Sequence, residues 1–151
     1  MATLRLEIIT VAGKLYDEQV NMVIAPGSEG VLGILPRHTP ALTALSFGEL
    51  QIKREGQEDE YFAIGGGFME VQPDHVIVLA DAAEYAEEID IARAEEARRR
   101  AEERLVMAKE EEIDFSRADA ALRRSTLRLK VARRRSRRRE GPSITSGEGP
   151  S

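Results

Sequence analysis

The sequence predicts an all-β N-terminal sandwich followed by an α-helical antiparallel hairpin, and three observations carry that expectation. Residues 1–88 are rich in β-branched side chains, alternate in polarity and are broken at short intervals by Gly and Pro. Residues 89–139 are largely Ala, Arg, Glu and Leu, with no Gly or Pro before Gly141. The charge changes sign at the same place. Residues 1–88 hold 5 Lys and Arg against 15 Asp and Glu, residues 89–139 hold 17 against 10, and the whole chain has net charge −5.

In the first part, Leu4-Arg5-Leu6-Glu7-Ile8, Val20-Asn21-Met22-Val23-Ile24 and Glu49-Leu50-Gln51-Ile52-Lys53 alternate at period two. That pattern gives a strand one buried face and one wet face. Val76-Ile77-Val78-Leu79 is continuously apolar, which predicts a central strand covered on both faces. Turn signals recur at Ala12-Gly13, Pro26-Gly27, Gly30, Pro36, Gly48, Glu55-Gly56, Gly65-Gly66-Gly67 and Pro73-Asp74. Many short strands with frequent turns indicate a β-sandwich or flattened barrel over residues 1–88.

The second part, 89–139, predicts two helices. Asp90 can cap the first. Ala94, Ala97, Ala101, Leu105 and Ala108 then form one stripe at spacings of three and four. The pattern breaks around Glu110-Glu111-Glu112-Ile113, and Asp114 can cap a second helix whose stripe is Ala118, Leu122, Ser125, Leu129 and Ala132. A burial worth ~1.5–3 kcal/mol for Leu shrinks to about a third of that for an Ala methyl. A seam of alanines is therefore weak, while the helices themselves are good. Such a hairpin can open without melting. Periodicity alone is described more simply by an ordinary stable hairpin docked on the sandwich. The run Arg133-Arg134-Arg135-Ser136-Arg137-Arg138-Arg139 exceeds what a helix C-terminus needs. The segment 140–151 has the composition of a disordered tail.

The composition restricts function. A length of 151 residues corresponds to about one domain, and the second half is too polar for a core of its own. The absence of cysteine excludes disulfides, zinc-thiolate sites and thiol nucleophiles. Neither a secretory signal nor an apolar run of spanning length is visible, so any membrane role is expected to be peripheral or through a partner. His38 and His75 stand alone, without ligand spacing. No phosphate-binding P-loop sequence occurs. Gly65-Gly66-Gly67 has strand on both sides and no helix N-terminus after it, so a kink or bulge is the better reading. No carboxylate pair has acid/base spacing, and the chain is read as non-catalytic, with no metal and no required cofactor. The basic second helix suits nucleic acid, an anionic membrane or an acidic protein surface. It lacks the aromatic residues that stack on single strands, Phe115 excepted.

Three segments are more specific. Pro26-Gly27-Ser28-Glu29-Gly30-Val31-Leu32-Gly33-Ile34-Leu35-Pro36-Arg37-His38-Thr39-Pro40-Ala41-Leu42-Thr43 is the first. Ile64-Gly65-Gly66-Gly67-Phe68-Met69-Glu70-Val71 with Val78-Leu79-Ala80-Asp81 is the second, and Ala121-Leu122-Arg123-Arg124 leading to Arg128-Leu129-Lys130-Val131-Ala132 is the third. In order and spacing they resemble the epsilon subunit of bacterial and plastid F-type ATP synthases, over nearly the whole chain. The resemblance implies a ten-stranded sandwich and a two-helix hairpin at the foot of the rotary central stalk. The implied partners are the gamma subunit, the proton-translocating c-ring and, in an inhibited state, the alpha/beta catalytic hexamer. It implies that the sandwich couples rotation to ATP synthesis and that the hairpin, when extended, blocks ATP hydrolysis. Glu29, Gly30, Val31, Leu32 and Gly33 would face the c-ring, and His38 and Thr43 would lie toward gamma. Arg123, Arg133, Arg134 and Arg135 would supply inhibitory basic contacts to an acidic loop of the beta subunit. The implied location is peripheral, on the cytoplasmic face of the bacterial plasma membrane, with a plastid thylakoid as the alternative. The N-terminus shows no transit peptide of the kind a nuclear-encoded mitochondrial counterpart would carry.

Ile89-Asp90-Ile91-Ala92-Arg93-Ala94 is similar to the Ile/Leu-Asp-x-x-Arg-Ala motif of family members that bind regulatory ATP. By that match Asp90 would accept from the adenine amino group, with Ile89 against the ring and Ala94 completing the motif. Arg93, Arg100, Arg124 and Arg128 would reach the phosphates, and Glu84 occupies another matching position. The same residues also allow a plain N-cap and solvated arginines. The sequence departs from the family at Ser125, where Ala is usual, and in its arginine run and tail. The competing expectation is a free-standing basic adaptor that binds nucleic acid through its last helix.

Overall fold

The computed structural model describes residues 2–111 and 115–140, with only the backbone described at 109–111 and 135–140. Eight strands come first: β1 Leu4–Thr10, β2 Gly13–Val20, β3 Met22–Gly27, β4 Gly30–Ile34, β5 Ala41–Lys53, β6 Glu60–Val71, β7 His75–Ala80 and β8 Ala83–Tyr85. A 3₁₀ turn, Ala86–Glu88, leads to α1 Ile91–Glu111 and then α2 Phe115–Glu140.

β5 and β6, at 13 and 12 residues, are each shared between two layers. Their pairing runs from Ala41↔Val71 to Leu45↔Gly67, breaks, and resumes from Phe47↔Gly65 to Ile52↔Glu60. One layer is β2-β1-β7-β6-β5, which uses the second half of β6 and the first half of β5. The other is β4-β3-β5-β6-β8, which uses the remaining halves. Eight strands thus supply five segments to each layer, which reconciles them with the ten expected. The glycine run makes this break possible. Gly66 and Gly67 have φ of +98° and +127°, values that side-chain-bearing residues rarely adopt. A Cβ on Gly67 would stand 2.1 Å from the Leu79 carbonyl oxygen.

The core lies between the layers. Leu4, Leu6, Ile8, Leu50, Ile52, Ile64, Met69, Val76 and Val78 are buried around Phe62. The Phe62 ring meets Tyr16 edge-on at 5.8 Å and Tyr85 at 5.0 Å between centroids. Among the described residues, none from the helices belongs to this cluster.

Two strand expectations need correction. β7 is central in its layer but covered on one face only: Val76 and Val78 are buried, whereas Leu79 is 52% exposed. An apolar run does not by itself report burial of both faces. The alternation over Val20–Ile24 does not mark one strand, because the chain turns a corner at Asn21 between β2 and β3. Asn21 is fastened there: its amide N–H donates to Lys53 O at 2.9 Å, its Nδ2 donates to Ala2 O at 3.2 Å, and its Oδ1 accepts from the Glu55 amide.

The hairpin follows the stripe read from the sequence. Ala94, Ala101 and Ala108 of α1 and Ala118, Ser125, Leu129 and Ala132 of α2 are buried, and the two helices pack on each other. Ala97, Leu105 and Leu122 are half-buried at its margins. Ser125 satisfies its hydroxyl within α2, donating toward Ala121 O at 2.9 Å and Leu122 O at 3.1 Å. It therefore occupies an alanine-sized place without an orphaned polar group. The proposed cap at Asp114 and most of the acidic turn lie outside the described residues.

Candidate regulatory site at the hairpin–sandwich junction

The chain passes from sandwich to hairpin through the 3₁₀ turn, and the residues of that passage are fixed by packing. Ile89, 2% exposed, joins Ala63, Ala86, Val131 and Ala132 in a second apolar cluster. This cluster lies on the outer face of the β5–β6 layer, where α2 is seated. Asp90 caps α1: its Oδ1 accepts from the Arg93 amide at 3.1 Å and its carbonyl from the Ala94 amide at 3.0 Å. The Asp90 carboxylate is otherwise exposed, and Ala94 is sealed in the helix seam.

Beside this junction α2 and β8 form a charged contact. Arg128 Nε donates to Glu84 Oε2 at 2.6 Å and its Nη2 to Glu84 Oε1 at 2.9 Å. Two parallel N–H···O bonds between guanidinium and carboxylate make a strong, directional pair. The Arg128 pKa is raised, chiefly by the hydrogen bond to Glu84. Glu84, Arg124 and Arg128 border a cavity of about 200 Å³ with Phe47, Ala63 and Leu127. It adjoins an open groove of about 1000 Å³ between Gly65–Gly67 and α2, edged by Arg123 and Lys130. A typical small-molecule site has ~300–1,000 Å³, so the smaller cavity by itself takes one anionic or planar group, and a larger ligand would extend into the adjoining groove. Arg93 and Arg100 are exposed on α1 and do not border the cavity. The structure thus brings Glu84, Arg124 and Arg128 together, keeps Asp90 as a cap whose charge also acts on Arg128, and places Ile89 in packing.

A second charged contact lies farther along α2, one turn beyond Val131. Arg134 Nε donates to Glu49 Oε2 at 3.2 Å and its Nη2 lies 3.1 Å from Glu49 Oε1. The same guanidinium sits 5.3 Å above the centre of the Tyr61 ring, within range of cation–π attraction. Glu49 holds the Arg134 pKa up. Arg133 is exposed, and Arg123, also exposed, pairs within α2 with Asp119 at 3.1 Å. The side chain of Arg135 lies outside the described residues. Sequence reasoning missed Glu49 and Tyr61 entirely. They stand 85 and 73 positions from Arg134, and no spacing rule joins them.

Elsewhere on the sandwich, Glu29 to Gly33 occupy the β3–β4 turn and β4, with Val31 75% exposed and Leu32 packed on the core margin. The Ser28 amide donates to Ala44 O at 2.9 Å, which brings this turn beside Thr43. Thr43 pairs with Met69 across β5–β6. His38 is half-buried after a tight turn, its Nδ1 2.7 Å from Thr39 O. Among the described residues, no group of His, Asp and Glu is arranged to hold a metal ion, and no helix is long and apolar enough to cross a membrane.

Comparison with known proteins decides the family. Residues 3–86 match the model for the ATP synthase delta/epsilon chain β-sandwich domain, and residues 87–133 match that for the long α-helix domain of the same chain. The chain belongs to the ATP synthase delta/epsilon family. Within this family it is 55% identical, over 102 residues, to the ATP synthase epsilon chain of Dehalococcoides mccartyi, covering 68% of this chain and 72% of that one. It is 50% identical over 105 residues to the epsilon chain of Bacillus subtilis, covering 70% and 79%. Among solved structures it resembles a chain of the Euglena gracilis mitochondrial ATP synthase, described as OSCP/F1/c-ring in rotational state 1. The TM-score is 0.71 at 25% identity, with 87% of this chain and 82% of that chain covered. The delta/epsilon family match spans both the sandwich and the hairpin.

Proposed function

We propose that this chain is the non-catalytic epsilon subunit of an F-type ATP synthase, binding gamma and the c-ring through its sandwich and restraining ATP hydrolysis through its hairpin. The observation that carries the reading is the pair of family matches over residues 3–86 and 87–133. Its location is then peripheral, on the cytoplasmic side of the membrane that holds the c-ring. The β3–β4 turn with Glu29–Gly33 and the neighbouring His38 and Thr43 are the proposed rotor contacts. Exposed Val31 and Leu35 stand at the two ends of β4, and exposed apolar side chains of this kind suit protein contact.

The inhibitory role requires a hairpin that leaves the sandwich and stays helical. Support comes from the seam, which buries mainly alanine methyls, and from a sandwich core that includes no helical residue. Once extended, Arg123, Arg133, Arg134 and Arg135 can meet an acidic surface of the catalytic hexamer. ATP sensing is the finer part of the proposal. An anionic phosphate reaching Arg128 must displace Glu84, and Arg124 on the same cavity wall can share it. Such a ligand favours the compact state only by binding it better than the extended one.

Co-purification tests the assembly. Recovery of the chain with gamma and the other ATP synthase subunits is expected. Recovery with RNA or DNA and without those subunits would instead support a nucleic-acid adaptor. Titration calorimetry of the full chain with ATP tests the sensing. Saturable binding weakened at least tenfold by Arg124→Ala and by Arg128→Ala supports it, and heat signals unchanged by both variants remove these residues from the site.

A further inference from the structure

We propose that Glu49 and Tyr61 form the receiving half of a latch for Arg134, and that this latch sets the balance between the compact and the extended hairpin. The inference rests on the mobile hairpin just proposed. It concerns which contact holds that hairpin closed.

The geometry is that of a specific receptor and not of a chance surface pair. Glu49 projects from the outer face of β5 and its carboxylate is 14% exposed, against 34% for the Arg134 side chain. Both guanidinium edge donors are used, and the guanidinium lies over Tyr61. Only arginine combines a planar fork with a face that stacks. The ring is itself held in place: Gln51 Nε2 donates to the Tyr61 hydroxyl at 3.2 Å and to Asp59 Oδ2 at 2.7 Å. Partial burial shields the pair from the screening that makes exposed ion pairs weak.

Position gives the contact its leverage. Along α2 the sandwich-facing residues run Leu127, Arg128, Val131, Ala132, Arg134. The apolar cluster is therefore flanked by Glu84–Arg128 on one side and Glu49–Arg134 on the other. Three of the five buried residues between are alanines, and only Ile89 and Val131 bury larger side chains there. Apolar burial is non-directional, so the bidentate charged contacts at the ends fix the register in which α2 docks. The latch is also reversible. When α2 leaves, Glu49 and Tyr61 return to water, so no charge is stranded in an apolar interior. Arg134 belongs at once to this latch and to the basic run proposed to reach the catalytic hexamer. It cannot serve both, which makes the two states exclusive.

The chain contains no cysteine, so a single introduced thiol reports opening. Ala63, 6% exposed, lies under α2 on the outer face of the sandwich. In the full chain carrying Ala63→Cys, the rate of thiol labelling follows the opening of the hairpin. Glu49→Gln and Arg134→Ala should each raise that rate about tenfold, and Arg134→Lys by less, because Lys keeps the charge but loses the fork. Arg133→Ala should stay within twofold. A thiol at Ala25, buried between the layers, reports global unfolding and should be unaffected by any of these changes. Rates within about twofold of the parent for both Glu49→Gln and Arg134→Ala would overturn the latch. So would an Arg133→Ala effect equal to that of Arg134→Ala, or an equal acceleration at Ala25. If labelling at Ala63 accelerates as expected but hydrolysis by the reconstituted complex does not change, the latch stands and the inhibitory reading of the hairpin falls.

Discussion

At the scale of single residues, Gly67 shows how one position shapes the sandwich. Its φ of +127° and the 2.1 Å approach of Leu79 O to a notional Cβ leave no room for a side chain. Gly67→Ala should cost about 2 kcal/mol or more of stability, from combined backbone strain and steric displacement, measured as a lower urea midpoint. A second prediction concerns the charged cluster on β1, β2 and β7. Asp17 is held well below the usual carboxylate range, first by its hydrogen bonds from Arg5 and then by those from Lys14. Glu7 is lowered by Lys14 at 2.7 Å and by His75 at 2.6 Å. Because the folded values are depressed, these groups contribute stability above the ordinary carboxylate range and lose it as pH falls through the depressed values. Asp17→Asn should therefore flatten the acid limb of a plot of unfolding free energy against pH. An acid limb as steep as the parent's would contradict the assignment. The glycine kink was legible in the sequence because Gly has a distinct conformational role. The charged cluster was not, since Glu7 and His75 meet only after β1 and β7 pair in parallel.

At the scale of elements, the hairpin was the most legible part, because a helix writes its buried face at spacings of three and four. Ala94, Ala101, Ala108, Ala118, Leu129 and Ala132 all lie in the seam as that spacing requires. The strands were less legible. Val76–Leu79 contained the apolar residues of β7 but not the fact that its outer face is open. Val20–Ile24 concealed the corner at Asn21, whose partners Lys53 and Glu55 are distant in sequence. The candidate site was half legible. Asp90 could be read as a cap from local chemistry, whereas the Glu84–Arg128 and Glu49–Arg134 contacts depend on how α2 is laid on the sandwich. Ser125 supplies a prediction at this scale. Its hydroxyl bonds only to carbonyls of its own helix that are already positioned to accept from backbone amides. Ser125→Ala should leave stability unchanged or raise it by up to about 0.5 kcal/mol. Ser125→Leu should overpack the alanine seam and cost about 1–3 kcal/mol. Thermal melts of the two variants check both signs.

At the scale of the whole molecule, two modules of opposite charge share one small contact. The acidic sandwich carries its own core, and the basic hairpin rests on Ala63, Ala86 and Ile89 with an arginine pair at either end. This construction allows the hairpin to be removed without dissolving the sandwich. The most direct measurement compares ATP hydrolysis by the reconstituted ATP synthase carrying the full chain with that carrying a chain truncated after Ile89. The truncated chain should still assemble with gamma, and hydrolysis should rise several-fold. Normal assembly with an unchanged hydrolysis rate would contradict the inhibitory reading of the hairpin.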